Sequence, residues 1–240
     1  MPLTLDDPPF AARTGAGVIV AVLDSGVHSG HPHVGEVHRG MNFAGERQPA
    51  DWVDRIGHGT AVAAAIREKS PGAEIVAVRV FDRQLATNVE VLVDAIMWSA
   101  DAGAQLINLS LGTANFANAD RLATAVAHAT LRGALVVSAR ESNDVEWLPG
   151  SLPGVVGVVA DAMLDRDALD VRHLESEMTV YSASPFPRPI PGVPRERNLS
   201  GVSFAVANVT GFLARAVEAA GGDPLAALSL LPRAKPRASA

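Results

Sequence analysis

The chain has no cysteine among its 240 residues. That excludes disulfides, thiolate metal sites and a cysteine nucleophile, so any covalent catalysis has to use oxygen or nitrogen. Aromatic residues make up only 5% and charged residues 19%, while 48% are hydrophobic. This is a globular balance that argues against disorder. Alanine, valine and leucine carry the apolar content, as expected where helices cover a parallel sheet. The net charge of −6 leaves no basic footprint, so no nucleic-acid partner is expected. No apolar run approaches the roughly 18 residues that span a bilayer. Residues 1–16 (MPLTLDDPPFAARTGA) lack the apolar core of a secretory signal. The expectation is a soluble, cytoplasmic chain without a membrane partner. The sequence leaves its oligomeric state open.

What is present is an alternation of short apolar runs and helical stretches. Val18–Leu23, Ile75–Phe81, Gln105–Leu109, Ala134–Ser138 and Val155–Ala160 read as buried strands. Helices are expected at Gly59–Arg67, at Asn88–Ala102 with Asn88 as N-cap, at Ala119–Leu131 before Gly133, and at Ser203–Ala220 before Gly221. Strands separated by helices of this length imply right-handed βαβ units. The fold class is therefore α/β, three-layered, with a mostly parallel β-sheet flanked by helices. One domain is expected over residues 17–222, with an N-terminal extension at 1–16. Residues 223–240 form a C-terminal segment with a frayed basic tail. Five prolines between 184 and 198 mark a loop, and its end just before Ser203 places it near any site there.

Three segments carry chemistry. VAVLDSG puts Asp24 at the C-terminal end of a strand, where α/β sheets gather ligands. GHGTAV puts His58 at a helix start, and SGVSFAVANVTG puts Ser203 after a glycine turn and before an apolar helix. Each alone is an ordinary turn or cap. Together they supply a nucleophile, a base of suitable pKa and a carboxylate to orient that base. They also stand in the order Asp–His–Ser.

These segments resemble the motifs of the subtilisin-like serine peptidases, the subtilases. VAVLDSGVHSGHPHV is similar to the aspartate motif, GHGTAVAAAI to the histidine motif, QLINLSLG to the substrate-strand motif and SGVSFAVANVTG to the serine motif. The resemblance runs from about Gly17 to Arg215. It implies the subtilisin-like fold and a serine endopeptidase working through an acyl-enzyme on a peptide or protein substrate. Asp24 would orient the base, His58 would be the base and Ser203 the nucleophile. Ser110, Leu111 and Gly112 would pair with an extended substrate backbone.

Some positions depart from the pattern. Val202 and Ala207 replace the usual threonine and proline around the serine. VVSARESND is a degraded form of the segment that supplies the oxyanion asparagine. Direct register puts Ser142 at that position, and a one-residue shift puts Asn143 there. The longer reach of an amide favours Asn143. Arg140 and Glu141 fall where the family builds part of its S1 wall. Glu141 facing the pocket implies a basic P1 residue, and Glu141 paired with Arg140 an apolar one. The short segment after His58 and the presence of His33 argue against the family's calcium site, so no metal or cofactor is expected. His28, His31, His33 and His38 fit no zinc spacing and read as a polar loop. The family's inhibitory prodomain is not seen before residue 17. A small member of this kind suggests a dedicated processing enzyme, such as one that removes a leader. The competing reading is a pseudopeptidase that binds peptides or a partner protein without cleaving.

Overall fold

The computed structural model describes residues 1–45, 47–173 and 178–231. In chain order the elements are β1 (Leu3–Thr4), β2 (Ile19–Asp24), β3 (Arg39–Asn42), α1 (His58–Lys69), β4 (Glu74–Arg79), α2 (Val89–Asp101) and β5 (Leu106–Leu109). Then follow α3 (Ala119–Leu131), β6 (Leu135–Ala139), β7 (Glu141–Ser142), β8 (Val145–Glu146), β9 (Val156–Ala160), β10 (Ala168–His173), β11 (Thr179–Ala183), α4 (Val202–Ala219) and α5 (Pro224–Leu230). Nine strands form one sheet in the order β1-β10-β11-β9-β6-β5-β2-β4-β3. Pairing is parallel from β11 to β3, and at the far edge β10 is reversed, pairing antiparallel with both β11 and β1.

Two cores follow from the two-residue period of the strands. Val20 and Val22 of β2 face α1 and α4 on one side, while Ala21 and Leu23 face α2 and α3 on the other. Because both faces are covered, the central strands read as unbroken apolar runs. α4 is long and apolar enough to cross a bilayer by length and composition alone. It is instead the buried helix of the first core, its Phe212 ring edge-on to Phe10 with centroids 5.0 Å apart.

The segment expected as an extension therefore belongs to the fold. β1 joins the sheet and Phe10 is fully buried. Three amides, of Thr14, Gly15 and Ala16, donate to the Glu218 carboxylate of α4. α5, capped by Asp223, packs on α4. The basic tail from 232 onward lies outside the described residues.

Fully buried Arg79, the last residue of β4, is tied to the loops on both sides of it. Its guanidinium donates to the Phe81 carbonyl at 3.2 Å and to Asp51 at 3.1 Å, and it pairs with Asp82. Arg55 bridges the same two carboxylates from outside.

Candidate active site

β2 ends on Asp24 and α1 begins on His58, so the carboxyl edge of the sheet and a helix start meet. Asp24 is fully buried, and its Oδ1 lies 2.8 Å from His58 Nδ1. The same oxygen accepts the Ser25 amide at 2.8 Å. This close approach depends on Gly59. A Cβ there would lie 2.2 Å from the Gly26 carbonyl and 3.0 Å from Asp24 Cβ.

A second carboxylate, Asp54, organises the start of α1 and was not singled out in the sequence. It accepts the Ser25 hydroxyl at 2.8 Å, the amides of Ile56, Gly57 and Thr60, and the Thr60 hydroxyl at 2.6 Å. Ser25 in turn accepts the Gly59 amide at 2.9 Å. Burial works against the Asp54 charge, but the Thr60 hydroxyl and the three amides outweigh it and hold the carboxyl below its usual range. The sequence signal was present, an acid four residues before the helix histidine, and it reads as an ordinary cap unless the fold shows what else it faces.

His58 shows the same balance with the opposite sign. Burial disfavours the imidazolium, yet the Asp24 hydrogen bond, the Asp24 charge and then the Asp54 charge raise its pKa above the ordinary histidine value. The ring packs 5.6 Å from that of Phe204.

Ser203 lies in the first turn of α4, where its amide has no acceptor within the helix. Its hydroxyl donates to the Ser110 carbonyl at 3.2 Å. A buried polar chain fixes Ser110. Thr210 of α4 donates to Asn108 Oδ1 at 2.9 Å, and Asn108 Nδ2 donates to Ser110 Oγ at 2.9 Å. His58 and Ser203 line one cleft of about 250 Å³ with Ser110, Leu111 and Gly112 along one wall. Phe81, Leu85, Ala139, Ser142, Trp147 and Val202 complete it.

The oxyanion segment differs from the expected register. Residues 141–146 form a two-stranded hairpin, and Asn143 and Asp144 fill its two turn positions at φ 53° and 59°. Paired left-handed residues are what a tight hairpin turn requires, and asparagine and aspartate tolerate them. Asn143 is therefore exposed at the hairpin tip, and it is Ser142 that lines the cleft with Ser203. The alternation of β7 turns Glu141 outward to solvent. Arg140 pairs with Glu146 at 3.7 Å rather than with Glu141. Neither sequence alternative for Glu141 describes this wall. Among the described residues, no group of three histidines or acids is placed to hold a metal ion.

A doubly covered parallel sheet with an Asp–His pair and a serine at its carboxyl edge defines an α/β fold with a candidate nucleophile site. The comparisons with known proteins narrow it. The model of the Subtilase family (peptidase S8) matches residues 15–229. The chain belongs to the subtilase family. It is 33% identical over 165 residues to the thermophilic serine proteinase of Bacillus sp. (strain AK1), covering 64% of this chain and 41% of that one. It is 35% identical over 136 residues to thermitase of Thermoactinomyces vulgaris, covering 52% and 47%. The chain thus spans less than half the length of these two relatives. Among solved structures, sphericase superposes with a TM-score of 0.73 at 23% identity, over 95% of this chain and 87% of that one. A cold-adapted subtilisin-like serine proteinase gives 0.72 at 24% identity, over 92% and 82%. Both show the same fold.

Proposed function

We propose that the chain is a serine endopeptidase that hydrolyses peptide bonds through an acyl-enzyme, with Asp24, His58 and Ser203 as its triad. The observation that carries this is the 2.8 Å Asp24–His58 hydrogen bond opening onto the cleft that also holds Ser203. Rotation about χ1 releases the Ser203 hydroxyl from the Ser110 carbonyl. In the reaction the Ser203 Oγ attacks the scissile carbonyl as His58 Nε2 takes its proton. Asp24 keeps Nδ1 protonated and balances the imidazolium. The oxyanion is held by the Ser203 amide and the Ser142 hydroxyl. His58 returns the proton to the leaving amine, and water then repeats the sequence on the acyl-enzyme. A small apolar cleft suits a selective enzyme, such as one that processes a precursor. A fluorophosphonate probe tests the reading, because only an activated serine labels quickly. Rapid labelling that disappears in Ser203→Ala is expected. No labelling of the folded protein points to a pseudopeptidase.

The raised His58 pKa sets the pH dependence. The base acts only when neutral, so kcat/KM is expected to fall with acid through a midpoint above about 6.5, the ordinary histidine value. Asp54→Asn keeps one of the two acceptor oxygens that the helix start uses and removes the negative charge. The midpoint is expected to move down, because the imidazolium loses one of its stabilising charges. A pH–rate profile checks this, and an unmoved midpoint means that Asp54 acts only as a cap.

The cleft walls set a second expectation. With Glu141 in solvent and Leu111, Ala139, Trp147 and Val202 around the serine, cleavage is expected after apolar residues. A peptide-library profile of Glu141→Gln is expected to match the parent at P1. A basic P1 preference that Glu141→Gln removes is the contrary result.

A further inference from the structure

A second cavity, of about 550 Å³, lies between the 27–35 loop, α1 and the proline-rich loop. Its polar lining is rich in nitrogen bases, with Arg188 its one fixed cation among the described residues. His28, His31, His33 and Arg188 face it, above apolar walls that include Ala61 and Leu199. Arg188 is half-buried, and its guanidinium makes one long hydrogen bond, to the His33 carbonyl at 3.5 Å. Among the described residues no carboxylate is within ion-pair distance of it. That is unusual for a guanidinium partly removed from water. Among the described residues the one acid on the cavity wall, Asp54, already accepts from Ser25, Thr60 and three amides. Glu68, the acid nearest His33 on α1, is taken by Arg166 and Lys69.

The His31 ring is set as a donor. His31 Nδ1 accepts the His33 amide at 3.2 Å, which leaves Nε2 as its N–H. Burial first, then Arg188 and His31, lower the His33 pKa against the opposing pull of Glu68, so His33 favours its neutral form. An anion in the cavity would oppose that shift.

The position of the cavity ties it to the proposed reaction. Gly57 and Thr60 flank His58 in the chain, and Leu199 shortly precedes Ser203. None of the Ser110–Gly112 wall lines the cavity, which instead takes in chain neighbours of His58. A peptide paired along that wall on the N-terminal side of its scissile bond would pass His58 and continue on the cavity's side. We infer that the cavity binds an acidic residue of the peptide substrate on the C-terminal side of the scissile bond, its carboxylate held by Arg188 with His31 and His33 alongside. This rests on the peptidase reading above. The volume suits a glutamate side chain with its neighbour.

The test is a mixed peptide library digested by the enzyme, with the cut sites read by mass spectrometry. A cut peptide is then resynthesised with glutamate or glutamine at the enriched position. Glutamate is expected to raise kcat/KM about tenfold over glutamine, the scale of one charge-assisted hydrogen bond. Arg188→Gln is expected to bring that ratio close to one. Arg188→Lys, which keeps the charge, is expected to retain most of it, so a folding defect in the first variant does not hide the result. Cleavage with no discrimination between glutamate and glutamine at any of the four residues after the cut overturns the inference and leaves the peptidase reading intact. So does discrimination that survives Arg188→Gln. A folded protein that neither cleaves nor labels with fluorophosphonate overturns both.

Discussion

Ser203→Ala is expected to leave the fold intact and to lower kcat on the order of 10⁶-fold, the loss measured in subtilisin, the relative from which the figure comes. His58→Ala is expected to cost about as much. The reason is non-additivity. The hydroxyl is a weak nucleophile without the imidazole, and the imidazole has nothing to deprotonate without the hydroxyl. The fold survives Ser203→Ala because the hydroxyl makes a single hydrogen bond, to the Ser110 carbonyl, which Asn108 and Thr210 already position. Single-turnover assays on purified variants, with circular dichroism as the folding check, measure both effects. Turnover by Ser203→Ala near the parent rate would falsify the assignment of the nucleophile.

Ser142→Ala is expected to lower kcat roughly 10²-fold while KM stays nearly constant. Full negative charge reaches the carbonyl oxygen only around the tetrahedral intermediate. A donor aimed there therefore lowers the barrier without tightening substrate binding. The figure is the lower end of the range for the oxyanion asparagine of subtilisin, roughly 10²–10³. The lower end is chosen because a serine hydroxyl reaches less far than an asparagine amide. Asn143→Ala, in the exposed turn, is expected to change kcat little and to cost some hairpin stability through its left-handed backbone. Steady-state kinetics of the two variants side by side separate them. If Asn143→Ala carries the large effect instead, the hairpin rearranges when substrate binds.

The parallel sheet and its helices were legible because apolar runs and helical spacing are local signals. β2, β4, β5, β6, β9 and the first four α-helices fall within a residue or two of their expected bounds. β10, β11 and β3 were not foreseen, since β10 and β11 lie toward one edge of the sheet and β3 at the other, and their apolar patterns are weaker. The placement of Asp24, His58, Ser203 and Ser110–Gly112 on one sheet edge followed from their positions at strand ends and helix starts. The oxyanion register did not follow, because reach of a side chain was weighed and turn chemistry was not. Asn-Asp between two short extended pairs is itself a hairpin signal. Read that way, it removes Asn143 from the cleft and puts Ser142 there. Asp54 read as a local cap because most of its partners are two to six residues on, and only the fold shows that it also faces Ser25 and His58. Arg188 and the Asn108–Thr210 pair were out of reach, because their partners lie far along the chain.

Arg79 has a mechanical corollary. The segment it holds through Asp51 leads into α1 and His58, and the segment it holds through Phe81 and Asp82 carries two residues of the cleft wall. Buried Arg79, with Arg55 outside it, thus fastens the two flaps together. Local opening of either strips a partner from a guanidinium that has no access to water, so the second loosens with the first. The two segments then behave as one unit, and their amides would exchange with solvent at a common opening free energy. Local fluctuation around this cleft would then be a joint motion, with the width of the cleft and the setting of His58 varying together.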